Sequence, residues 1–279
     1  MTAVDRPLSA VARATIVPRA FFRRDRRIEA SYRAGLLLRL GSAVVTVGVF
    51  FFLGRTFDAA APGLTDVGSS YFAFVLIGII AQEFLGQAVS GFGSSLRESQ
   101  TTGTLELMLL GPSRLVTLLG SSMLWLYASA GLGALTYLVL GVALGVDVGR
   151  ADVPAAALGL GLLLVGLAGM GFLAGAVVLV VKRGNPLGWA FRGASVVLGG
   201  ILYPVAVLPP VLQLAGQALP ITHGLHVLRG AILDGDGVVA LAEPLLLLAV
   251  VSLVHLALGV AAFEAALRHA RSDGSLAQY

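Results

Sequence analysis

The sequence contains no cysteine and only one lysine, and each scarcity excludes a class of function. Without cysteine, the 279-residue chain offers no disulfide framework, thiolate zinc site, iron–sulfur cluster or cysteine nucleophile. The single lysine, Lys182, is followed by Arg183, whereas the phosphate-binding loop GxxxxGK[ST] requires Ser or Thr at that position. The chain therefore has no P-loop with which to hydrolyse ATP itself.

Charged residues are also scarce. They make up 12% of the chain and hydrophobic residues make up 57%, whereas soluble domains carry roughly a quarter charged residues. This apolar excess is too large for one soluble core and indicates helices that cross a bilayer. The composition predicts an all-α integral membrane protein, and we expect it to be a multi-pass protein of the cell membrane.

Six apolar segments are long enough to cross about 30 Å of hydrocarbon, which takes about 20 helical residues. They cover residues 35–54, 71–91, 115–145, 154–181, 187–208 and 241–267. The sequence therefore divides into an N-terminal tail (1–34), a six-helix transmembrane domain (35–267) and a C-terminal tail (268–279).

The basic residues predict the orientation. If the N-terminus, the 92–114 loop, the 182–192 segment and the C-terminus lie on one side, that side holds sixteen basic residues and the other side three. By the positive-inside rule both termini are cytoplasmic. The net charge of +4 therefore reports topology and gives no indication of nucleic-acid binding.

The N-terminal tail carries an amphipathic pattern before the first span. Apolar residues recur at i, i+7 and i+11, and arginines fill the rest of the arc, as in helices that lie on a membrane surface. The predicted interfacial helix comprises Phe21, Arg23, Arg24, Arg26, Arg27, Ile28 and Tyr32. The alternative is a solvated basic arm.

The loop after the second span contains another short amphipathic helix. Leu105, Met108 and Leu109 form an i, i+3, i+4 apolar stripe, and Gly111-Pro112 ends it. The helix protrudes into the cytoplasm in the predicted topology. The alternative is a connector that lies on the lipid headgroups.

This loop resembles that of the permease subunits of type-2 ATP-binding-cassette (ABC) exporters. The family pattern is Arg-Glu, then Gly-Thr-Leu-Glu, a leucine pair and proline, and in those permeases it forms the coupling helix that seats in the ATPase subunit. The matching residues here are Arg97, Glu98, Gly103, Thr104, Leu105, Glu106, Leu109, Leu110 and Pro112.

The outer connection between the fifth and sixth spans is the second region of resemblance. Residues 211–219 are apolar but too short to span, which favours a re-entrant or interfacial helix. A second short helix is predicted over 222–233, with Thr222 as its cap. The order Pro204-Val205, Leu208-Pro209, Leu219-Pro220-Ile221-Thr222-His223 and Leu228-Arg229 is similar to the same permeases, which place two short outer helices here.

The resemblance implies a permease that exports an amphipathic substrate by alternating access. The substrate class is a drug, a lipid or a lipid-linked glycan, and the Gly-Thr-Leu-Glu pattern favours a drug or lipid. It implies separate ATPase subunits, which bind ATP and Mg²⁺, and a second permease copy, with a homodimer favoured. No cofactor is expected in this chain, and membrane lipids are expected neighbours.

Glu83 is an acidic residue deep inside a span, where a charge costs about 2.5 to 3.5 kcal/mol on insertion scales. It faces a translocation path, pairs with Arg39 or Arg192, or is protonated. We consider Phe50, Phe51 and Tyr203, together with Glu83, as candidates for substrate contact.

Two rival functions belong to other classes. An ion-coupled secondary transporter needs ionisable groups near the midplane and usually an internal repeat, and Glu83 is the one deep acidic residue. A membrane-embedded enzyme would have to use His223, His226 and the outer aspartates, which lack a recognisable nucleophile and base pair. We expect no metal site.

Overall fold

The computed structural model describes residues 33–60, 70–101, 115–181 and 184–272, and every regular element in these ranges is a helix. The helices are α1 (Arg33–Ala60), α2 (Tyr71–Gly86), α3 (Phe92–Thr101), α4 (Leu115–Ala143), α5 (Val153–Val181), α6 (Pro186–Leu198), α7 (Pro210–Gln217), α8 (Pro220–Arg229) and α9 (Ala242–Ser272). A π-helical turn, Gln87–Gly91, joins α2 to α3, a 3₁₀ turn, Val205–Val207, precedes α7, and a second π turn, Gly230–Asp234, follows α8.

Five helical segments in the described ranges are long and apolar enough to cross a membrane. They are Leu37–Thr56, Tyr71–Glu98, Met123–Ala143, Val153–Val181 and Ala242–Ala270. The second continues to Thr101 instead of ending near Gly91, because the π turn keeps the backbone helical between α2 and α3. Arg97 and Glu98 therefore lie on a continuation of the second span.

The structure corrects the extent of the fifth predicted span, residues 187–208. Its helix, α6, has only 13 residues, about 20 Å at 1.5 Å per residue, which is less than the hydrocarbon thickness. The helix ends because Gly199 and Gly200 follow it, and Gly200 has a left-handed φ of 75°. The Gln213 side chain donates to the carbonyls of Ala206 and Leu208 and so satisfies part of the exposed backbone beyond the break.

The two short outer helices predicted after this break are present as α7 and α8, with a different cap. Leu219 is the N-cap of α8, and Pro220 occupies the first helical turn, where its fixed φ suits a helix and its missing N–H is not needed. The Thr222 hydroxyl instead donates to the Gly216 carbonyl over 2.7 Å. Thr222 therefore ties α8 to α7 and does not cap the helix.

The closest helix packing joins α5 and α9. A Cβ on Gly169 would overlap the backbone of His255, and a Cβ on Gly259 would overlap the Gly169 carbonyl. Small residues at these positions allow the two backbones to touch. Two further glycines also pack closely inside this chain, Gly141 against Leu76 and Gly175 against the Phe92 ring.

Candidate functional site

The predicted site residues divide into those that the structure describes and those outside its ranges. The residues outside are Gly103, Thr104, Leu105, Glu106, Leu109, Leu110 and Pro112 of the predicted coupling helix, and Phe21, Arg23, Arg24, Arg26, Arg27, Ile28 and Tyr32 of the predicted interfacial helix. The described residues are Arg97, Glu98, Phe50, Phe51, Glu83 and Tyr203. Their surroundings fall into three regions.

The first region is the end of α3, where the predicted coupling segment begins. Arg97 Nη2 donates to the Gly184 carbonyl over 2.8 Å, which joins α3 to the turn between α5 and α6. Arg97 and Glu98 line a cleft of about 390 Å³, and its other lining residues are Ser90, Gly93, Ser94, Gly184 and Asn185. Glu98 is exposed. The end of α3 is therefore hydrogen-bonded to the connection between α5 and α6.

Asn185, which the sequence reasoning did not single out, makes a second link at this end. Its side-chain oxygen accepts from the Gly188 N–H over 2.9 Å and caps α6, while its Nδ2 donates to the Val89 carbonyl over 2.7 Å. Val89 belongs to the π turn between α2 and α3. Asn followed by Pro186 is the signal that could have found it, because Asn favours N-caps and proline favours the first helical turn.

The second region is a polar pocket between α1, α2 and α4, which contains Glu83. Arg39 Nη2 lies 3.8 Å from Glu83 Oε1, so the structure pairs Glu83 with Arg39 of the two arginines considered. Arg192 instead lies near Ser90, with 3.5 Å between its Nη1 and the serine hydroxyl. The pocket is lined by Arg39, Leu40, Ser42, Ala43, Glu83, Ser129, Leu132, Gly133, Thr136 and Tyr137.

The aromatic candidates for substrate contact do not lie in this pocket. Phe51 packs edge-on against Phe72, with 5.4 Å between ring centroids. Phe72 precedes Glu83 by eleven residues of α2, roughly 16 Å along the helix axis. Phe50 packs into the same apolar cluster as Phe72, and the Tyr203 hydroxyl donates to the Val197 carbonyl. Phe50, Phe51 and Tyr203 thus contact other parts of this chain and are not brought together with Glu83.

The third region surrounds Arg229 at the end of α8, whose enclosure the sequence did not predict. Its guanidinium lies 3.3 Å from the centroid of the Phe74 ring. It donates twice to the Phe74 carbonyl, over 3.0 and 3.2 Å, and once to the Ile201 carbonyl, over 3.3 Å. Burial lowers the pKa of Arg229 to about 9, so the side chain stays protonated at neutral pH.

Arg229 joins three segments that are far apart in the sequence. Phe74 lies in α2, Ile201 follows the glycine break after α6, and Arg229 ends α8. A Cβ on Gly78 would overlap the Ile201 carbonyl, so the break presses directly against α2. The arginine is therefore a structural tie between α2 and the outer helices, and its charge is dispersed over carbonyl dipoles and a ring face.

The histidines of the outer segment have structural surroundings in the described part of the chain. His223 Nε2 lies 2.8 Å from the Gln217 carbonyl, while His226 is exposed. Within the described ranges, no three or more His, Asp or Glu side chains are grouped so that they could hold a metal ion.

A comparison with protein-family models identifies the family of the chain. The model of the family described as ABC-2 family transporter protein matches residues 56–261, which is more than half of the chain. No curated protein matches the chain. The matched region includes the π-linked second span, α5 with the part of α9 that touches it at Gly259, and the Arg229 tie. The chain therefore belongs to the ABC-2 transporter family and is a multi-pass membrane permease subunit of that kind.

Proposed function

We propose that this chain is the membrane subunit of an ATP-driven exporter, which moves an amphipathic substrate outward by alternating access. Separate ATPase subunits, which bind ATP and Mg²⁺, dock on the segment that begins at Arg97 and Glu98 and extends to Pro112. A second copy of the chain completes the pathway. The sequence contains no P-loop, which is why the proposal assigns ATP hydrolysis to separate subunits.

The observation that carries this proposal is the continuity between the second span and the first residues of the docking segment, Arg97 and Glu98. Residues 71–101 form one helical rod, about 46 Å long at 1.5 Å per residue. Arg97 also donates to the Gly184 carbonyl at the α5–α6 turn, and Asn185 donates to the Val89 carbonyl. A displacement of the docking segment by the ATPase therefore moves α2 along its whole length and α6 with it. Rigid-body movement of this kind is one of the established forms of switching.

Charge reversal at the docking segment tests the proposal. The chain is reconstituted with its cognate ATPase, and ATP hydrolysis is measured with and without the permease. Glu98→Lys combined with Glu106→Lys replaces two negative charges on the docking segment by two positive ones. If basic groups of the ATPase face these glutamates, like charges then meet across the interface, which costs several kcal/mol. We expect permease-dependent hydrolysis to fall roughly tenfold or more.

Glu264→Lys is the matched control for this double variant. Glu264 follows Phe263, whose ring lies 6.0 Å from that of Phe92 in α3, so the control changes the same charge near the same end of the helices. It breaks only an exposed i,i+4 pair with Arg268, and we expect hydrolysis to be unchanged. Full permease-dependent hydrolysis in the double variant would refute docking at this segment.

The same vesicles distinguish an ATP-driven exporter from an ion-coupled transporter. Export should continue when the proton gradient is collapsed while ATP is kept high, and it should stop when ATP is withdrawn. The opposite result would favour coupling through a titratable group such as Glu83.

A further inference from the structure

The pocket around Arg39 and Glu83 has the properties of a ligand site. The two charges lie 3.8 Å apart, which is longer than the 2.7–2.9 Å of a charge-assisted hydrogen bond. The side chains are 39% and 29% exposed, so neither charge is sealed inside the protein. The pocket thus presents a cation and an anion side by side, within a helical surface that is otherwise apolar.

Two hydroxyl groups in the lining of the pocket can act as hydrogen-bond acceptors. Ser129 donates its hydroxyl proton to the Leu126 carbonyl, and Thr136 donates to the Leu132 carbonyl. Each hydroxyl oxygen retains its lone pairs, because a serine or threonine hydroxyl has one donor and two acceptor positions. With the Glu83 carboxylate, they form an acceptor-rich wall that suits a group carrying several N–H donors.

The cation of the pocket lies beside this acceptor-rich wall, 3.8 Å from the Glu83 carboxylate. Arg39 is the more exposed of the two charged side chains, and its planar guanidinium suits an oxyanion such as a phosphate. A ligand that satisfies both Arg39 and the acceptor-rich wall therefore carries a phosphate and a primary ammonium close together. A quaternary ammonium fits the acceptor-rich wall less well, because it has no N–H to donate to the carboxylate and hydroxyls.

The surface around the pocket is apolar and exposed. Leu132 in the pocket wall is 56% exposed, and its neighbours Leu37, Leu38 and Leu135 are 69%, 75% and 55% exposed. Leucines exposed on a membrane helix are suited to contact with acyl chains. The cavity measures about 70 Å³, roughly five times the space that one water needs, so it accepts a small headgroup and is too small for a polycyclic drug.

We propose that this pocket binds the headgroup of a zwitterionic aminophospholipid, with its phosphate against Arg39 and its primary ammonium against Glu83, Ser129 and Thr136. The acyl chains lie over the exposed leucines of α1 and α4. Lipid binding itself is independent of the ATPase, whereas the identification of this lipid as the transported cargo rests on the proposed function.

Phosphatidylethanolamine, phosphatidylcholine and phosphatidylglycerol with the same acyl chains are the probes. The purified full-length chain is equilibrated with each lipid, and bound lipid is counted by native mass spectrometry. The unmodified chain should retain phosphatidylethanolamine roughly tenfold better than phosphatidylcholine, since a hydrogen bond to a charged group supports a discrimination of that size. Equal retention of the two lipids would overturn the proposal.

Substitutions separate the contribution of the acceptor-rich wall from that of Arg39. Glu83→Gln should abolish the preference for phosphatidylethanolamine over phosphatidylcholine, while Arg39→Gln should weaken the binding of all three phospholipids. Glu264→Gln, which removes a carboxylate from an exposed ion pair with Arg268, should change neither. Unchanged lipid retention in both pocket variants would overturn the proposal.

The double variant Arg39→Glu with Glu83→Arg separates lipid recognition from a purely structural ion pair. It restores the pair with opposite polarity, so its thermal stability should match that of the unmodified chain. It places a carboxylate where the phosphate binds, so the preference for phosphatidylethanolamine should remain lost. Recovery of both the thermal stability and the preference for phosphatidylethanolamine would show that Arg39 and Glu83 act only as a structural ion pair. Because no ATPase is present, this result is independent of the hydrolysis test, and either can fail alone.

Discussion

Two arginines lie within the helical body, and their surroundings differ. Arg229 is enclosed: its guanidinium covers the Phe74 ring and donates to the Phe74 and Ile201 carbonyls. Arg39 lines an open pocket, where its Nη2 lies 3.8 Å from the Glu83 Oε1 atom. The enclosed arginine holds helices together, whereas the open one keeps its charge accessible to a ligand.

The difference follows from where the two residues lie in the helix packing. In the second and fourth candidate spans 67% and 61% of the apolar window is buried, whereas in the first and third spans only 17% is buried. Arg229 packs against the second span, in the well-buried part of the molecule. Arg39 belongs to the first span, on the open flank. Burial of the surrounding helices thus separates a structural charge from a recognition charge.

The largest expected effect comes from breaking the packed part. Gly169→Leu places a side chain where α9 touches α5, and overpacking of this kind typically costs about 1–3 kcal/mol, or more where backbone must move. We expect little folded protein in membranes, measured by yield and by size-exclusion chromatography. Gly161→Leu lies on the same helix, and nothing lies within 4 Å of its Cβ position, so this control should fold normally. Equal yields would show that the α5–α9 contact is not tight.

The next largest effect concerns the enclosed arginine. Arg229→Gln removes a charge-assisted tie and leaves the Ile201 carbonyl without its donor, which should cost about 2–3 kcal/mol. The thermal unfolding midpoint should fall in every lipid tested. Arg150→Gln, an exposed outer arginine, should leave the midpoint within error. A midpoint unchanged by Arg229→Gln would mean that the outer helices do not depend on this tie.

A smaller effect is expected at the junction between α3 and α6. Asn185→Ala removes the α6 cap and the bond to the Val89 carbonyl, and loss of a cap alone costs about 1 kcal/mol. Asn185→Asp keeps the capping oxygen and loses the Nδ2 donor, so it should recover part of the loss. Thermal unfolding of the three chains gives the order unmodified, Asp, Ala. Identical behaviour of the Asp and unmodified chains would show that the Val89 contact contributes nothing.

The smallest expected effect on stability comes from the open pair. Glu83→Gln should change the free energy of unfolding by less than about 1 kcal/mol, because a partly exposed pair at this distance contributes little. The thermal midpoint in lipid-free detergent measures this directly. A loss as large as that of Arg229→Gln would place Arg39 and Glu83 in the same structural class as Arg229 and remove the contrast.

Much of the helical architecture could be predicted from the sequence, because apolar runs of about 20 residues usually form membrane-spanning helices. Five predicted spans coincide with long apolar helices in the described ranges. The end of the fifth predicted span, 187–208, could not be predicted from the length of the apolar run. Gly199 and Gly200 are as compatible with close packing inside a continuous helix as with a helix end. Only the close approach of Ile201 to Gly78 gives the break its place in the structure.

The candidate sites were predictable to different degrees. Glu83 was visible as a charge inside an apolar run, and Arg39 as a cation near the start of another, so their pairing was one of two options. Arg229 looked like an ordinary outer-loop arginine, because its partner Phe74 lies 155 residues away in the sequence. Its enclosure depends on three-dimensional packing that no local pattern records.

The thermal unfolding midpoint, measured in nanodiscs of phosphatidylethanolamine or phosphatidylcholine, tests the contrast between the two arginines most directly. A ligand that binds only the folded chain raises the midpoint, so the unmodified chain should be more stable in phosphatidylethanolamine. Arg229→Gln should lower the midpoint in both lipids and keep the difference between them. Arg39→Gln weakens the binding of every phospholipid, so it should lower the phosphatidylethanolamine midpoint to near the phosphatidylcholine value. The phosphatidylcholine midpoint should change little, because this lipid is bound too weakly to stabilise the unmodified chain. A lipid-dependent difference that survives Arg39→Gln, or disappears in Arg229→Gln alone, would contradict the account.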